Sequence, residues 1–224
     1  MLEAPKPKTI TTLAMEQIRQ LIFDGELAGG SDHLESELAD RLGMSRTPVR
    51  EATLMLAQQG LLEVRPRKGV RIATLSLQDM EEIYSILTEL ESLSAEEAAS
   101  KNYSERDLDR LLESIEAMDL ALGNEDREAW AVADEAFHRE LVRLGGNTRI
   151  QSIVSMMSNQ VRRARALTLY IRPLPLKSNE DHRAVFNAIK IGDAKLAREK
   201  HRRHRRQARE VLIDLLKKHK LYQI

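Results

Sequence analysis

The chain has 224 residues, 42% hydrophobic and only 4% aromatic, with 35 basic and 35 acidic side chains and no cysteine. That length fits two modest domains or one large one, and the absence of cysteine excludes disulfides and thiolate metal sites, leaving His and carboxylates as the metal-ligating side chains. No apolar run approaches a membrane span and no signal-peptide core opens the chain, so the expectation is a soluble cytoplasmic protein without a membrane partner.

Residues 1–8 hold two prolines and little apolar content, and read as a flexible arm. Leu13, Ile18, Leu21 and Ile22 then repeat at helical spacing, predicting a first helix over roughly Thr11–Asp24, stopped by Gly25 and Gly29-Gly30. Leu34, Leu38 and Leu42 predict a short second helix ended by Gly43. Ser45 caps a third helix, and Pro48 fits its first turn, where a missing N–H costs nothing. Val49, Ala52, Leu56 and Leu61 give that helix and its exit a buried face. Leu62–Arg65 and Val70–Ala73 read as two strands around the basic tip Pro66-Arg67-Lys68-Gly69. Two short helices, a tight turn and a small hairpin make a winged helix-turn-helix.

From about Ser76 the pattern is wholly helical. About six helices are predicted, near 77–100, 104–122, 125–144, 147–171, 178–191 and 193–219, with Ser76, Ser104, Ser178 and Asp193 as N-caps. The fold class is therefore mainly α: residues 1–75 form a winged helix-turn-helix DNA-binding domain, and residues 76–224 form an all-α bundle. Charge is segregated between the two. Residues 79–135 are strongly acidic, while Arg46, Arg50, Arg65, Arg67, Lys68 and Arg71 surround the reading helix and wing. A second basic run, Arg198–Arg209, reads as a solvated face balancing the acidic helices rather than as a second nucleic-acid site.

A reading helix must offer short polar and cationic side chains at its N-terminus, where exposed N–H groups and partial positive charge suit phosphate. Ser45, Arg46, Thr47 and Arg50 meet that demand. Arg46 and Arg50 lie four apart, on one face, each able to reach a phosphate or a guanine edge. Gly69 permits close backbone approach, with Arg67 and Lys68 beside it.

Residues Ile18–Ile72 resemble the GntR family of bacterial transcription factors, through the run from Glu35 to Ala52 with its Ser45-Arg46-Thr47-Pro48-Val49-Arg50 core, and through the Gly69-Val70 wing. The resemblance implies DNA contacts from Ser45, Arg46, Thr47, Arg50, Lys68 and Gly69. Where some members place an arginine at the start of the second helix, this chain has Ser36.

Asp134 and His138 lie four apart and project from one helix face. His182 falls early in the fifth helix of the bundle, and His201 and His204 both lie on the stripe of the sixth through Ala197, Ala208, Val211 and Leu215. A bundle can gather such side chains around one ion. One carboxylate and three imidazoles suit Zn²⁺ first, with Ni²⁺, Fe²⁺ or Mn²⁺ as alternatives. Composition does not choose between His201 and His204.

Residues 77–216 resemble the FCD effector-binding domain of FadR-type GntR regulators, through Asp134, Phe137, His138 and Leu141, the Gly145-Gly146-Asn147 turn, Asp181-His182, Gly192-Asp193 and His204. The resemblance carries the family's metal ligands onto Asp134, His138, His182 and His204. It implies a homodimer that reads a palindromic DNA operator under control of a small-molecule effector, an organic acid being the leading class. Leu87 stands where FCD domains often carry an arginine; Arg163 or Arg165 is expected to supply that contact. The expected function is a repressor rather than an enzyme. The alternatives are a purely structural metal with a non-acidic effector, and a metal-dependent hydrolase, against which no His-Glu-x-x-His motif or nucleophile elbow is present.

Overall fold

The computed structural model describes residues 8–221; the arm read at 1–8 lies, except for Lys8, outside the described residues. The chain divides into two compact units, the first ending at Leu75 and the second starting at Ser76.

In the first unit, α1 (Ile10–Phe23) buries Ala14, Ile18 and Ile22, and Thr9 caps it by accepting the Thr12 N–H at 3.1 Å. Leu13, expected on the same face, is half-exposed because that edge of the helix lies outside the packed stripe. A short strand, β1 (Asp32–His33), precedes α2 (Glu35–Leu42). Leu34, expected to be helical and inward, is instead the exposed N-cap of α2, and its N–H donates to Glu37 at 3.0 Å. Gly43 ends α2 at φ 63°, a conformation that favours glycine. Then follow α3 (Arg46–Gln58), β2 (Leu62–Arg65) and β3 (Gly69–Ile72). The sheet order is β1-β3-β2, all antiparallel, with Val64 opposite Val70 and Asp32 opposite Arg71. Ile18, Leu38, Val49, Ala52, Leu56, Val70 and Ile72 share one core.

β1 was not expected: two polar residues carry no alternation to read. What admits it is Gly69. A Cβ there would stand 2.1 Å from the His33 carbonyl oxygen, so only glycine lets β1 close on the wing. At the wing tip the Lys68 N–H donates to the Arg65 carbonyl at 3.0 Å, and Arg67 is left-handed at φ 63°. Pro66 followed by a positive φ is the type II turn pattern, here with arginine where glycine is usual.

The second unit holds α4 (Leu77–Ala99), α5 (Glu105–Gly123), α6 (Arg127–Gly145), α7 (Thr148–Thr168), α8 (Leu176–Lys190) and α9 (Ala194–Lys218). Ser76 and Ser104 close capping boxes with Asp79 and Asp107, and Asp126, Asn147 and Asp193 cap α6, α7 and α9. Two boundaries differ from expectation. α7 stops at Thr168, short of 171, because Arg172 precedes Pro173 and is biased away from helix. Arg127 then takes the freed Leu169 and Arg172 carbonyls at 3.1 and 2.8 Å. α8 starts at Leu176 with Pro175 as its N-cap; the Ser178 N–H donates to the Pro175 carbonyl, so Ser178 lies inside the first turn and caps nothing.

Leu111, Ile115, Met118, Trp130, Phe137, Leu141 and Val185 form the body's core. α4 meets the C-terminal end of α6 at very close range, since a Cβ on Gly145 would stand 2.8 Å from the Ser94 Cβ. Lys101 and Tyr103, just past α4, donate to the Leu144 carbonyl at 3.2 and 2.8 Å, and Lys101 also donates to that of Gly145 at 2.7 Å. The basic face of α9 is answered by acidic α4: Arg198 pairs with Glu96, and Arg202 with Glu89 at 2.6 Å. Val211, expected on the inward stripe of α9, is half-exposed; Leu212, Ile213 and Leu216 are the buried residues there. No described helix is long and apolar enough to cross a membrane.

Candidate metal centre and nucleic-acid face

Asp134 and His138 come from α6, His182 from α8 and His204 from α9, and all four are buried. The Nε2 atoms of His182 and His204 face each other at 3.1 Å. Asp134 Oδ1 stands 3.6 Å from His182 Nε2 and 3.7 Å from His138 Nε2. The three histidines each place a ring nitrogen within 4.8 Å of the others. Donors bound at ~2.1 Å to one ion stand roughly 3.0–3.4 Å apart, so this spacing fits a shared cation.

The electrostatics fit as well. Burial drives the pKa of His182 well down, and His138 and His201 add to the fall. Burial, His182 and His138 do the same for His204. Both rings are therefore neutral, the form that binds a metal. Burial would raise the Asp134 carboxyl, but Arg165 and His138 hold it well below the usual carboxylate range. Burial opposes charge on His138 too, yet Glu91 and Asp134 outweigh it and leave its pKa raised. Two neutral imidazoles facing through the same nitrogen can share at most one proton, while a cation satisfies both.

Of the two arginines expected near the site, Arg165 pairs with Asp134 through Oδ2. Arg163 is half-buried, and burial lowers its pKa. Two residues apart on α7, the pair point to different sides of the helix. Glu135 pairs with Arg162 at 3.7 Å and Glu140 with Arg143 at 2.6 Å, so both neighbours of the ligands turn elsewhere.

Sequence reasoning missed Glu91 and Arg205. Glu91 on α4 is fully buried, with His138 Nδ1 at 2.8 Å, His201 Nε2 at 3.4 Å and Arg205 Nη2 at 3.2 Å. Burial would raise its carboxyl, but Arg205 and His138 pull it well below the usual range. Its signal is positional. Tyr84, Leu87, Glu91, Ala95 and Ala98 recur at helical spacing on the buried face of α4, and Glu91 is the one acid among them. Burial brings the His201 pKa down to about 4. The structure thus sets His204 against His182, and His201 against Glu91.

In the first unit, Ser45, Arg46, Thr47 and Arg50 are exposed at the N-terminal end of α3, and Lys68 is exposed at the wing tip beside half-buried Gly69. Ser45 is the N-cap of α3, but its side chain makes no capping bond. Arg65 and Arg71, in contrast, turn to Asp32 at 3.2 and 3.9 Å.

Comparison with known proteins bears on both units. Residues 11–72 match the bacterial regulatory proteins, gntR family, and residues 82–207 match the FCD domain. An HTH-type transcriptional regulator in an unstable DNA locus of Streptomyces ambofaciens is 35% identical over 85% of this chain and 79% of that protein. A protein of Paenarthrobacter nicotinovorans, named as a probable D-xylose utilization operon transcriptional repressor, is 32% identical over 88% of this chain and 87% of its own length. Among solved structures, E. coli McbR/YncC superposes with a TM-score of 0.78 at 23% identity, covering 93% of this chain and 99% of that one, a likeness of fold. Both relatives are named as transcriptional regulators.

Proposed function

Because the chain belongs to the gntR family of bacterial regulatory proteins and carries an FCD domain, we propose that this transcriptional regulator is a homodimeric repressor released from its operator by a small organic acid. In this reading residues 1–75 are the DNA-binding domain and residues 76–224 the effector-binding and dimerisation domain. Ser45, Arg46, Thr47, Arg50, Lys68 and Gly69 meet the DNA. Two-fold symmetry of the protein is mirrored in a palindromic site.

Asp134, His138, His182 and His204 would hold one divalent ion, Zn²⁺ before Ni²⁺, Fe²⁺ or Mn²⁺. The observation that carries the reading is the 3.1 Å approach of two buried neutral imidazoles beside Asp134. When bound, the ion supplies a Lewis-acidic point for a carboxylate oxygen. Charge supports an anionic effector: Asp134 is balanced by Arg165, Glu91 by Arg205, and Asp181, 3.9 Å from His204 Nδ1, by Lys177 and Arg203, so the two positive charges of an ion find no unbalanced acid in the cluster. An effector acts only through unequal affinity for the DNA-competent and incompetent states.

A second reading has its own support. Arg165 is engaged by Asp134, and this favours a structural ion with an effector that is not acidic.

The test is operator binding by the full-length protein, with and without chelator, while small organic acids are titrated in. The first reading expects release by one acid, and no response to it after chelation. Binding that no acid alters, with a large fall in melting temperature on chelation, would support the structural ion instead.

A further inference from the structure

Glu91 is a buried carboxylate that four-residue metal ligation does not use. None of it reaches solvent, and ionised side chains are almost never fully buried unless something pairs with them. Arg205 is the obvious partner, set in place by the Tyr84 ring 5.0 Å from its guanidinium carbon. Yet Arg205 comes to Oε1 at 3.2 Å without a well-aligned hydrogen bond to either oxygen, whereas a guanidinium given a carboxylate for itself tends to take both oxygens. Oε2 goes to imidazoles: His138 Nδ1 at 2.8 Å and His201 Nε2 at 3.4 Å. Ser92 Oγ stands 3.3 Å from the other nitrogen of His201.

The two Glu91 oxygens, His138 Nδ1 and His201 Nε2 are all buried without a well-aligned hydrogen bond. On the far side of the same ring, His138 Nε2 faces Asp134. A neutral imidazole that gives one nitrogen's lone pair to a cation carries its proton on the other, and that proton needs an acceptor.

We propose that Glu91 is the positioning residue of the metal centre. It accepts the Nδ1 proton of His138 and so holds the ring with Nε2 turned toward the ion, while Arg205 and His201 keep the carboxylate in place. The inference rests on the metal reading above and gives His201 a role outside the ligand set. One other occupant is geometrically available, because Glu91, His138 and His201 also bring donor atoms within 4.8 Å of one another and could take a second ion. Charge disfavours it: a second dication would join two arginines and the first ion in a buried cluster.

The test uses the full-length protein and its Glu91→Ala, Glu91→Gln and His201→Ala variants. Zn²⁺ affinity and stoichiometry are read by competition with a chromophoric chelator, and geometry by Co²⁺ absorption. Glu91→Ala is expected to bind one ion per protomer about 10–100-fold more weakly. Glu91→Gln, whose amide oxygen accepts the same proton, falls between it and wild type, with a shifted Co²⁺ spectrum. If the alanine variant does not fold, the near-isosteric glutamine variant carries the test. Wild-type affinity and an unchanged Co²⁺ spectrum in the Glu91 variants would overturn the proposal. So would two ions per protomer in the wild type with one lost in His201→Ala. A wild-type protein that takes up no divalent ion would overturn the metal reading itself, and the proposal with it.

Discussion

His182 and His204 present the same ring nitrogen to each other across 3.1 Å, from two helices whose junction is the short turn at Gly192-Asp193. Neither is charged, since burial keeps both pKa values well below the ordinary histidine range. Removing one ring should therefore cost the ion. His182→Ala is expected to lower Zn²⁺ affinity by more than about 100-fold, beyond what outer partners cost. At a metal concentration ~100 times the wild-type dissociation constant, the variant should also lose most of the ~2.7 kcal/mol of linked stability, a fall of roughly 5–10 °C in melting temperature. Calorimetry with and without Zn²⁺ checks both; equal melting shifts in variant and wild type would remove His182 from the site.

Arg46 and Arg50 project from the exposed start of α3, where the Ser45 side chain also has no capping duty. Arg46→Ala and Arg50→Ala should each weaken operator binding by about 1–3 kcal/mol, and a variant that loses a phosphate contact should lower the salt slope by about one. Fluorescence anisotropy across a salt series separates a phosphate contact from a base contact. Wild-type affinity in both variants would move the reading face elsewhere.

Arg67 sits at φ 63° at the wing tip. A left-handed arginine costs about 1–2 kcal/mol, part of which glycine would return to the unfolded state as entropy. Arg67→Gly should thus leave the first unit as stable as wild type, or more stable by about 0.5–1 kcal/mol, while weakening DNA binding through the lost charge. Urea denaturation alongside anisotropy would show the two effects moving in opposite directions.

Gly69 is the reverse case. A side chain there meets the His33 carbonyl and strains a φ of 81°. Gly69→Ala should destabilise the first unit by about 1–3 kcal/mol and detach β1 from β3. Faster amide exchange at the β1–β3 pairs, measured by NMR, would report it; unchanged protection would show that the wing adapts.

Helices carry their own punctuation, which is why the bundle was legible in the sequence: Ser76, Ser104 and Asp193 cap where their chemistry says they should. Ser178 misled because Pro175, three residues earlier, had already set the backbone for entry. β1 left no periodic trace, being two residues long and paired only through the space Gly69 leaves. The ligand-bearing helices could be read by spacing, but the partition between His201 and His204 could not. Both rings are buried on α9, and what separates them is Glu91, a residue 110 positions before His201 that no local pattern connects to it. Long-range pairing of this kind belongs to tertiary packing.

The near-contact of Gly145 with Ser94 has a mechanical consequence. With no side chain between the two backbones, and with Lys101 and Tyr103 gripping the last carbonyls of α6, α4 and α6 cannot slide past one another without breaking backbone-level contacts. α6 carries Asp134 and His138, and α4 is the helix whose first residues continue directly from the wing-bearing unit. An adjustment at the ligands on α6 therefore meets α4 through its backbone at Ser94, with no compressible side chain between the two.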